Sequence, residues 1–537
     1  MFFCNNYDII IIGGGISGLF MSYKLSHTGL SILLLESDDK LGGRVHTLKN
    51  KNVSYECGAA RFHSSHTKLI SLLHELNLED KFINLPKDIK LILRNRRKNF
   101  PYQTNNKLDI KLLFKKFIEK RNEFSNDILL NITFFQYLVT IFDHETAEFI
   151  KNSFGYDSEF LTLNALSALD MFEHDFFKDD DYFILNGGLS QIIQTLENKL
   201  NNSPYVTIMK NTSVVHITDS SVVTNIQDTY YFNQLICAIP QKSLQKFHIF
   251  KDYQLLNSVS PIPLLRIYAK YPTKNLWFKN IKRTITDNYI RQIIPIDYKQ
   301  GLIMISYTDG LYARFWNLYN ANNEDFLIQA LHKEIKDLYD IDPPKPEFIS
   351  NHYWSEGVHM WKPGFDMNTS YERILKPFDD KKIFICGEAF CKKQGWMEGA
   401  LESCYDVIKK LCIPNFTIQY DVVKDDVVKD DVVKDDVVKD NYTIDEVLNI
   451  KDKKLIIFDK DGIKKIYDIT NWIPEHPGGS IILKGVEANK HYKDKKKYPK
   501  SPMDLFNEIH VHKTSDVFNN YIKNENSLVK YFGVLKD

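Results

Sequence analysis

The chain opens on an apolar run. Tyr7–Ile12 reads YDIIII, four isoleucines with no polar alternation. Such a run predicts a short strand buried on both faces of a parallel sheet. GGGISG follows at once, then LFMSYKLSHTG, whose pattern predicts a helix stopping at Gly29. A second apolar run, LSILLLE, predicts another buried strand ending on Glu36. Farther along, residues 86–180 are helical in pattern and 246–374 are mixed.

One stretch fits neither period. Asp421–Asp440 is the unit DVVKD written four times. On a helix, at about 100° per residue, successive Val-Val pairs turn by roughly 140°; on a strand they alternate faces. The valines cannot build one apolar face, so the stretch reads as a tether of roughly 25 Å if it behaves as a flexible coil. A length of 537 residues predicts two to four domains, and the repeat marks one boundary.

Charge and composition narrow the class. Lys+Arg and Asp+Glu are both 69, so no net charge argues for nucleic acid or an anionic membrane as main partner. Hydrophobic residues at 43% and charged residues at 26% fit a soluble globular protein. The seven cysteines are odd in number and lack CxxC spacing, which predicts reduced thiols, with neither disulfide framework nor zinc site. The N-terminus has no basic region or cleavage site, and no apolar run reaches membrane-span length. The expected location is therefore intracellular, cytoplasmic and soluble.

The candidate chemistry starts at the glycines. Gly13, Gly15 and Gly18 have GxGxxG spacing between strand and helix, and Glu36 ends the next strand eighteen positions past Gly18. This order specifies a dinucleotide cradle: the glycines allow a tight turn and close backbone approach to a pyrophosphate, and the helix N-terminus beginning at Ile16 and Ser17 stabilises its charge. Glu36 can accept both ribose hydroxyls. LGGRVHT (Leu41–Thr47) adds Gly43 and Arg44 just beyond.

With LGGRVHT the sequence resembles the flavin-containing amine oxidase superfamily, which favours FAD over NAD. YFILNGGLSQIIQTL (Tyr182–Leu196), VTIMKNTSVVHI (Val206–Ile217, with Val215 beside the adenine) and QLICAIP (Gln234–Pro240) fit the same resemblance. IFICGEAFCKKQGWMEGALES (Ile383–Ser403) carries its most specific signature, with Gly387, Glu388, Trp396, Met397 and Ala400. The resemblance covers about residues 5–412. It implies an α/β, Rossmann-like FAD domain (1–85, 181–245 and 375–412) with an inserted α+β substrate domain (86–180 and 246–374). Glu388 is expected at a ribityl hydroxyl or a phosphate-linked water. The helix after Trp396 is expected at the pyrimidine edge of the flavin, where its N–H groups favour the reduced form.

The resemblance also implies the working face. Gly58-Ala59-Ala60-Arg61 matches the amino-acid oxidase branch, where Arg61 either clamps an α-carboxylate bidentately or bridges flavin and protein. Trp396 stands where monoamine oxidases place one aromatic of a substrate cage; plain packing on the flavin is the alternative. His359 and Trp361, in WSEGVHMWKPG, are candidate substrate contacts. Two departures stand out. The family's flavin-linked lysine falls at Arg266, with Lys270 expected on the same strand face. WSEGVHM also has no cysteine for covalent FAD, so non-covalent binding is expected.

After the repeat, 413–440, residues 441–537 resemble the cytochrome b5 family: YTIDEVLNI, then KLIIFDKDGIKKIYDITNWIPEHPGG, and YFGVL at the end. The resemblance implies a small α+β domain holding haem b through His476 and His512. His510 is the alternative and His491 a third candidate. The basic segment HYKDKKKYPKS (His491–Ser501) reads as a solvated loop or a docking patch for an acidic partner, and the haem domain implies a redox partner. A tether of this length would raise the effective concentration of one domain for the other to the millimolar range.

The expected function is oxidation of an amine or amino acid by hydride transfer to flavin, with electrons passing to the tethered haem. Two alternatives remain: a desaturase or isomerase of carotenoid-like or porphyrinogen-like substrates, or a non-enzymatic flavohaem electron carrier. An all-apolar pocket favours the first of these; Arg61 pointing inward favours amino acids.

Overall fold

The computed structural model describes residues 5–50, 52–86, 89–93, 110–175, 181–320, 323–411 and 413, and beyond them the strands at 441–442, 455–460, 463–468 and 530–535. The chain divides into two compact units, Met1–Asp425 and Asp426–Asp537, so the division falls inside the DVVKD repeat.

The larger unit is organised around a seven-stranded sheet. Its order is Val214–Ile217, Ser221–Thr224, Thr229–Cys237, Asn6–Ile12, Ile32–Leu35, Val206–Met209, with Ile383–Ile385 also paired to Thr229–Cys237. The centre is parallel, as the unbroken apolar runs require, and a hairpin adds two antiparallel strands at one edge. Ile9, Ile10 and Ile11 are fully buried. The helix Ile16–Leu25 packs on the sheet, and the chain turns back at Gly29 with a positive φ of 77°.

A second sheet of six strands runs Phe348–Trp361, Val259–Lys270, Leu302–Asp309, Gln292–Asp297, Thr284–Thr286, Lys90–Ile92. Its pairs are antiparallel except the last. The helices Gly310–Asn320 and Glu324–Tyr339 cover one face, burying Trp316, Leu331 and Ile335.

The segment 110–175 is helical throughout. Its helix starts carry the expected signals: Thr133 and Gln136 form a reciprocal capping box, and Asp143 accepts from the Thr146 N–H at 2.8 Å. A cluster of rings fills the interior, with Phe134 and Phe172 stacked at 5.0 Å and Phe117 edge-on to both. Such pairs add about 0.5–1.5 kcal/mol each beyond their burial.

In the smaller unit, four strands form a sheet in the order Asn441–Tyr442, Lys530–Leu535, Ile463–Asp468, Leu455–Lys460. His476, His491, His510 and His512 lie outside the described residues. Among the described residues Cys57, Cys237, Cys386, Cys391 and Cys404 are free and buried. No helix among them is long and apolar enough to cross a membrane.

Candidate active site

One cavity of about 1970 Å³ runs from the first glycine turn to the six-stranded sheet. Single small-molecule sites span about 300–1,000 Å³, so this one has room for a large group and a second, smaller one.

Its dinucleotide end follows from backbone constraints. Gly13 has φ 104°, and a Cβ there would lie 2.6 Å from the Ala238 carbonyl oxygen. At Gly18 a Cβ would sit 1.8 Å from the Gly13 carbonyl oxygen, so helix and turn touch only because residue 18 is glycine. Gly15 differs: nothing lies within 4 Å of its missing side chain, which faces the cavity. It caps the first helix with no side-chain hydrogen bond, leaving the helix N–H groups free for an anion. Glu36 is buried; Oε2 accepts from the Gly14 N–H at 2.5 Å and Oε1 from the Asp38 N–H at 2.9 Å. Thr212, Val214 and Val215 complete this end.

The second glycine pair builds the middle. A Cβ on Gly58 would fall 1.9 Å from the Arg44 carbonyl oxygen, so the two segments cross in contact. The Arg44 guanidinium donates to Glu388 Oε2 at 2.6 Å and to the Gly357 carbonyl at 3.0 Å. Glu388 is buried and also accepts from the His359 N–H at 2.9 Å, from His359 Nδ1 at 2.8 Å and from the Gly395 N–H at 3.0 Å. Burial alone would raise its pKa. The charges of Arg44 and His359 outweigh that and hold the carboxyl well below the usual range. A second uncapped helix, Met397–Lys410, begins beside Trp396, with Met397 and Ala400 on the cavity wall.

At the other end three guanidiniums face the cavity. Arg61 lies beside two rings, 5.0 Å from Tyr182 and 5.9 Å from Trp396, which are themselves stacked at 6.2 Å. His66 packs edge-on against Trp396 at 4.8 Å, and burial pushes its pKa down to about 3, so it is neutral. Arg266 donates to the Glu56 carbonyl at 3.1 Å and covers the Tyr307 ring at 4.5 Å. Arg283 donates to Gln292 Oε1 at 3.1 Å. One acid, Glu159, shares this end; burial first, then Asp309, raise its pKa.

Residues 16–407 match the family model described as flavin containing amine oxidoreductase. The chain belongs to that family. The flavin amine oxidoreductase fold appears in a putrescine oxidase variant with redesigned cofactor binding, matched at TM-score 0.60 with 16% identity over 75% of this chain and 99% of that one. An uncharacterized protein of Acanthamoeba polyphaga mimivirus is 23% identical over 76% of this chain and 94% of its own length. Rat flavin-containing amine oxidase B is 40% identical over 81 residues, and the human enzyme 33% over 100. These two matches span only 16% and 19% of those proteins. The protein is thus an FAD-dependent, amine oxidase-like oxidoreductase.

The cradle fits FAD on its own geometry. Two uncapped helix N-termini, an open glycine at Gly15 and a buried acid at the second strand all face one space. Gly13, Gly15, Ile16, Ser17, Glu36, Gly43, Arg44, Gly58, Ala59, Val215, Gly387, Glu388, Trp396, Met397 and Ala400 line it, as do Arg61 and Arg266. Gly18 does not; it serves the helix contact.

Three expectations change. Glu388, expected at a flavin hydroxyl or water, lines the cavity and accepts from four protein donors, through which it positions Arg44. His359 is fully buried behind Glu388, and Trp361, 1% exposed, donates its indole N–H to the Cys391 carbonyl. Neither reaches the cavity; their neighbours Val358 and Met360 do, because the strand alternates. Lys270 also misses it. Four residues carry it about 13 Å along the strand from Arg266, where it pairs with Glu347.

Tyr182, Tyr307, Tyr156, Arg283 and Glu159 also line the cavity, and no sequence motif assigned any of them to its substrate end. Tyr182 arrives by pairing with His63, two residues past Arg61, a register that no local pattern encodes.

Proposed function

We propose that this oxidoreductase oxidises an amino acid, with Arg61 clamping its α-carboxylate. The carrying observation is the state of Arg61: its guanidinium faces the cavity and makes no hydrogen bond or ion pair among the described residues. A cation held only by ring faces is free to meet a carboxylate with two parallel bonds. The guanidiniums of Arg266 and Arg283 on the same wall disfavour a wholly apolar substrate.

Bound FAD supplies the hydride acceptor. The protein's task is orientation. Tyr182 and Trp396 together hold Arg61, and the α-carbon of a clamped substrate is thereby fixed near Trp396 and the second helix N-terminus. Arg266, where the family has lysine, stays charged and cannot take a proton; it can only position an anion or a water. Anaerobic titration with pooled amino acids, then pooled amines, tests the reading. Bleaching of the flavin bands by amino acids supports it. Bleaching by amines alone, unchanged in Arg61→Leu, overturns it.

For residues 441–537 we propose a haem-binding domain with His476 and His512 as ligands, His510 being the alternative. The HPGG segment in its sequence setting and the four-stranded sheet support this. Such a haem would supply a one-electron acceptor. A reduced-minus-oxidised absorbance spectrum lacking haem bands after haem supplementation would end this part of the proposal.

A further inference from the structure

The substrate end holds more positive charge than one carboxylate uses. Arg283 lies at the start of the strand Thr284–Thr286, its backbone pinned where its carbonyl accepts from the Lys90 N–H at 2.9 Å. Its only hydrogen bond among the described residues runs from Nη2 to Gln292, a neutral partner that is itself fully buried. Gln292 is held in turn by the Gly155 carbonyl at 3.4 Å. The Arg283 side chain is thus fixed on the cavity wall with its charge uncompensated.

The surrounding groups do not compensate it. The strongest influences on Arg283 are burial and then the repulsion of Arg61, which bring its pKa down to about 10. Next come Tyr156, Tyr182 and Tyr307, which act in the opposite sense without outweighing those two; burial raises the Tyr156 phenol, while at Tyr307 the charges of Arg266 and Arg61 outweigh burial and lower it. Glu159 is held toward its protonated form by burial and by Asp309. Glu36 and Glu388 line the cavity but are engaged at the cofactor end. Like charges facing one low-dielectric space repel, and a ligand bringing a second negative group would relieve that cost.

We infer that the pocket is built for an acidic amino acid, with Arg61 on its α-carboxylate and Arg283 on its side-chain carboxylate. This rests on the amino-acid reading above and adds the side chain. Tyr156 and Tyr307, with rings 5.3 Å apart edge to face, line the same wall and can offer hydroxyls to the second carboxylate.

The test compares kcat/KM for glutamate and aspartate with that for glutamine and norvaline, in the full-length holoenzyme and in Arg283→Leu and Arg283→Lys. The expected result is an acidic-to-neutral preference that falls about 100-fold in Arg283→Leu and partly returns in Arg283→Lys. Binding gives an independent readout: glutarate, which has no amine to oxidise, should perturb the flavin spectrum and bind Arg283→Leu about 100-fold more weakly. A native preference for neutral amino acids, or equal losses on acidic and neutral substrates in Arg283→Leu, would overturn the inference and leave the amino-acid reading standing. Tight glutarate binding that needs Arg283, with no amino acid oxidised, would overturn the reading of function and keep the dicarboxylate site.

Discussion

Arg44 and Glu388, separated by 344 positions in the chain, meet at 2.6 Å. The pair closes the cofactor cradle from both ends of the sequence, and His359 supports it from behind.

Removing the carboxylate charge should therefore cost the cofactor. Glu388→Gln is expected to leave Arg44 without its ion partner and His359 without an anionic acceptor. Glu388 is buried but Arg44 is 29% exposed, so losing one side of the pair is expected to cost about 1–3 kcal/mol. The check is the flavin-to-protein absorbance ratio after gel filtration; retention equal to that of the unaltered protein would contradict the assignment.

The two glycines of the first turn should behave differently. Gly18→Ala drives a Cβ to 1.8 Å from the Gly13 carbonyl, so the apoprotein should lose about 1–3 kcal/mol and melt several degrees lower. Gly15→Ala meets nothing within 4 Å, so the apoprotein should melt unchanged while FAD affinity falls. Thermal melts with and without FAD separate the two effects.

The rings around Arg61 should matter as rings. Tyr182→Phe keeps the cation–π face and should leave KM for the amino acid within about twofold, while Tyr182→Leu should raise it by about tenfold. Equal effects of the two would show that the hydroxyl, not the face, does the holding.

Glu159 gives a pH signature. Its folded-state pKa is raised, to about 8, by burial and by Asp309. Below the ordinary glutamate range it is protonated folded or unfolded, and its stabilising contribution is fully present. As pH rises through that range toward the folded value, the unfolded chain gives up its proton first and stability declines. Glu159→Gln should flatten this decline in Tm between about pH 5 and pH 8. An unaltered slope would place the titration elsewhere.

Much of the cofactor half was legible because it is local. YDIIII, GGGISG and LSILLLE each specify their own element, and their order fixes the cradle. Arg61 was legible through its motif. The substrate half was not, because its members are brought together by sheet register. Tyr307 sits opposite Arg266 only through the antiparallel pairing of two strands. Arg283 carries no motif of its own; Gln292 and the strand beside it fix it on the cavity wall. His359 was misplaced for a similar reason: strand alternation turns it inward, where it meets Glu388 and not the cavity.

The ion pair between Arg44 and Glu388 also sets a clock. At a synthesis rate of about 5–20 residues per second, some twenty seconds to a minute pass between the emergence of the two residues. Throughout that time the nascent chain carries its first glycine turn with no closing partner. A cradle closed by this pair can lock FAD in only after Glu388 has emerged, so early folding of the first glycine turn alone does not complete the holoenzyme.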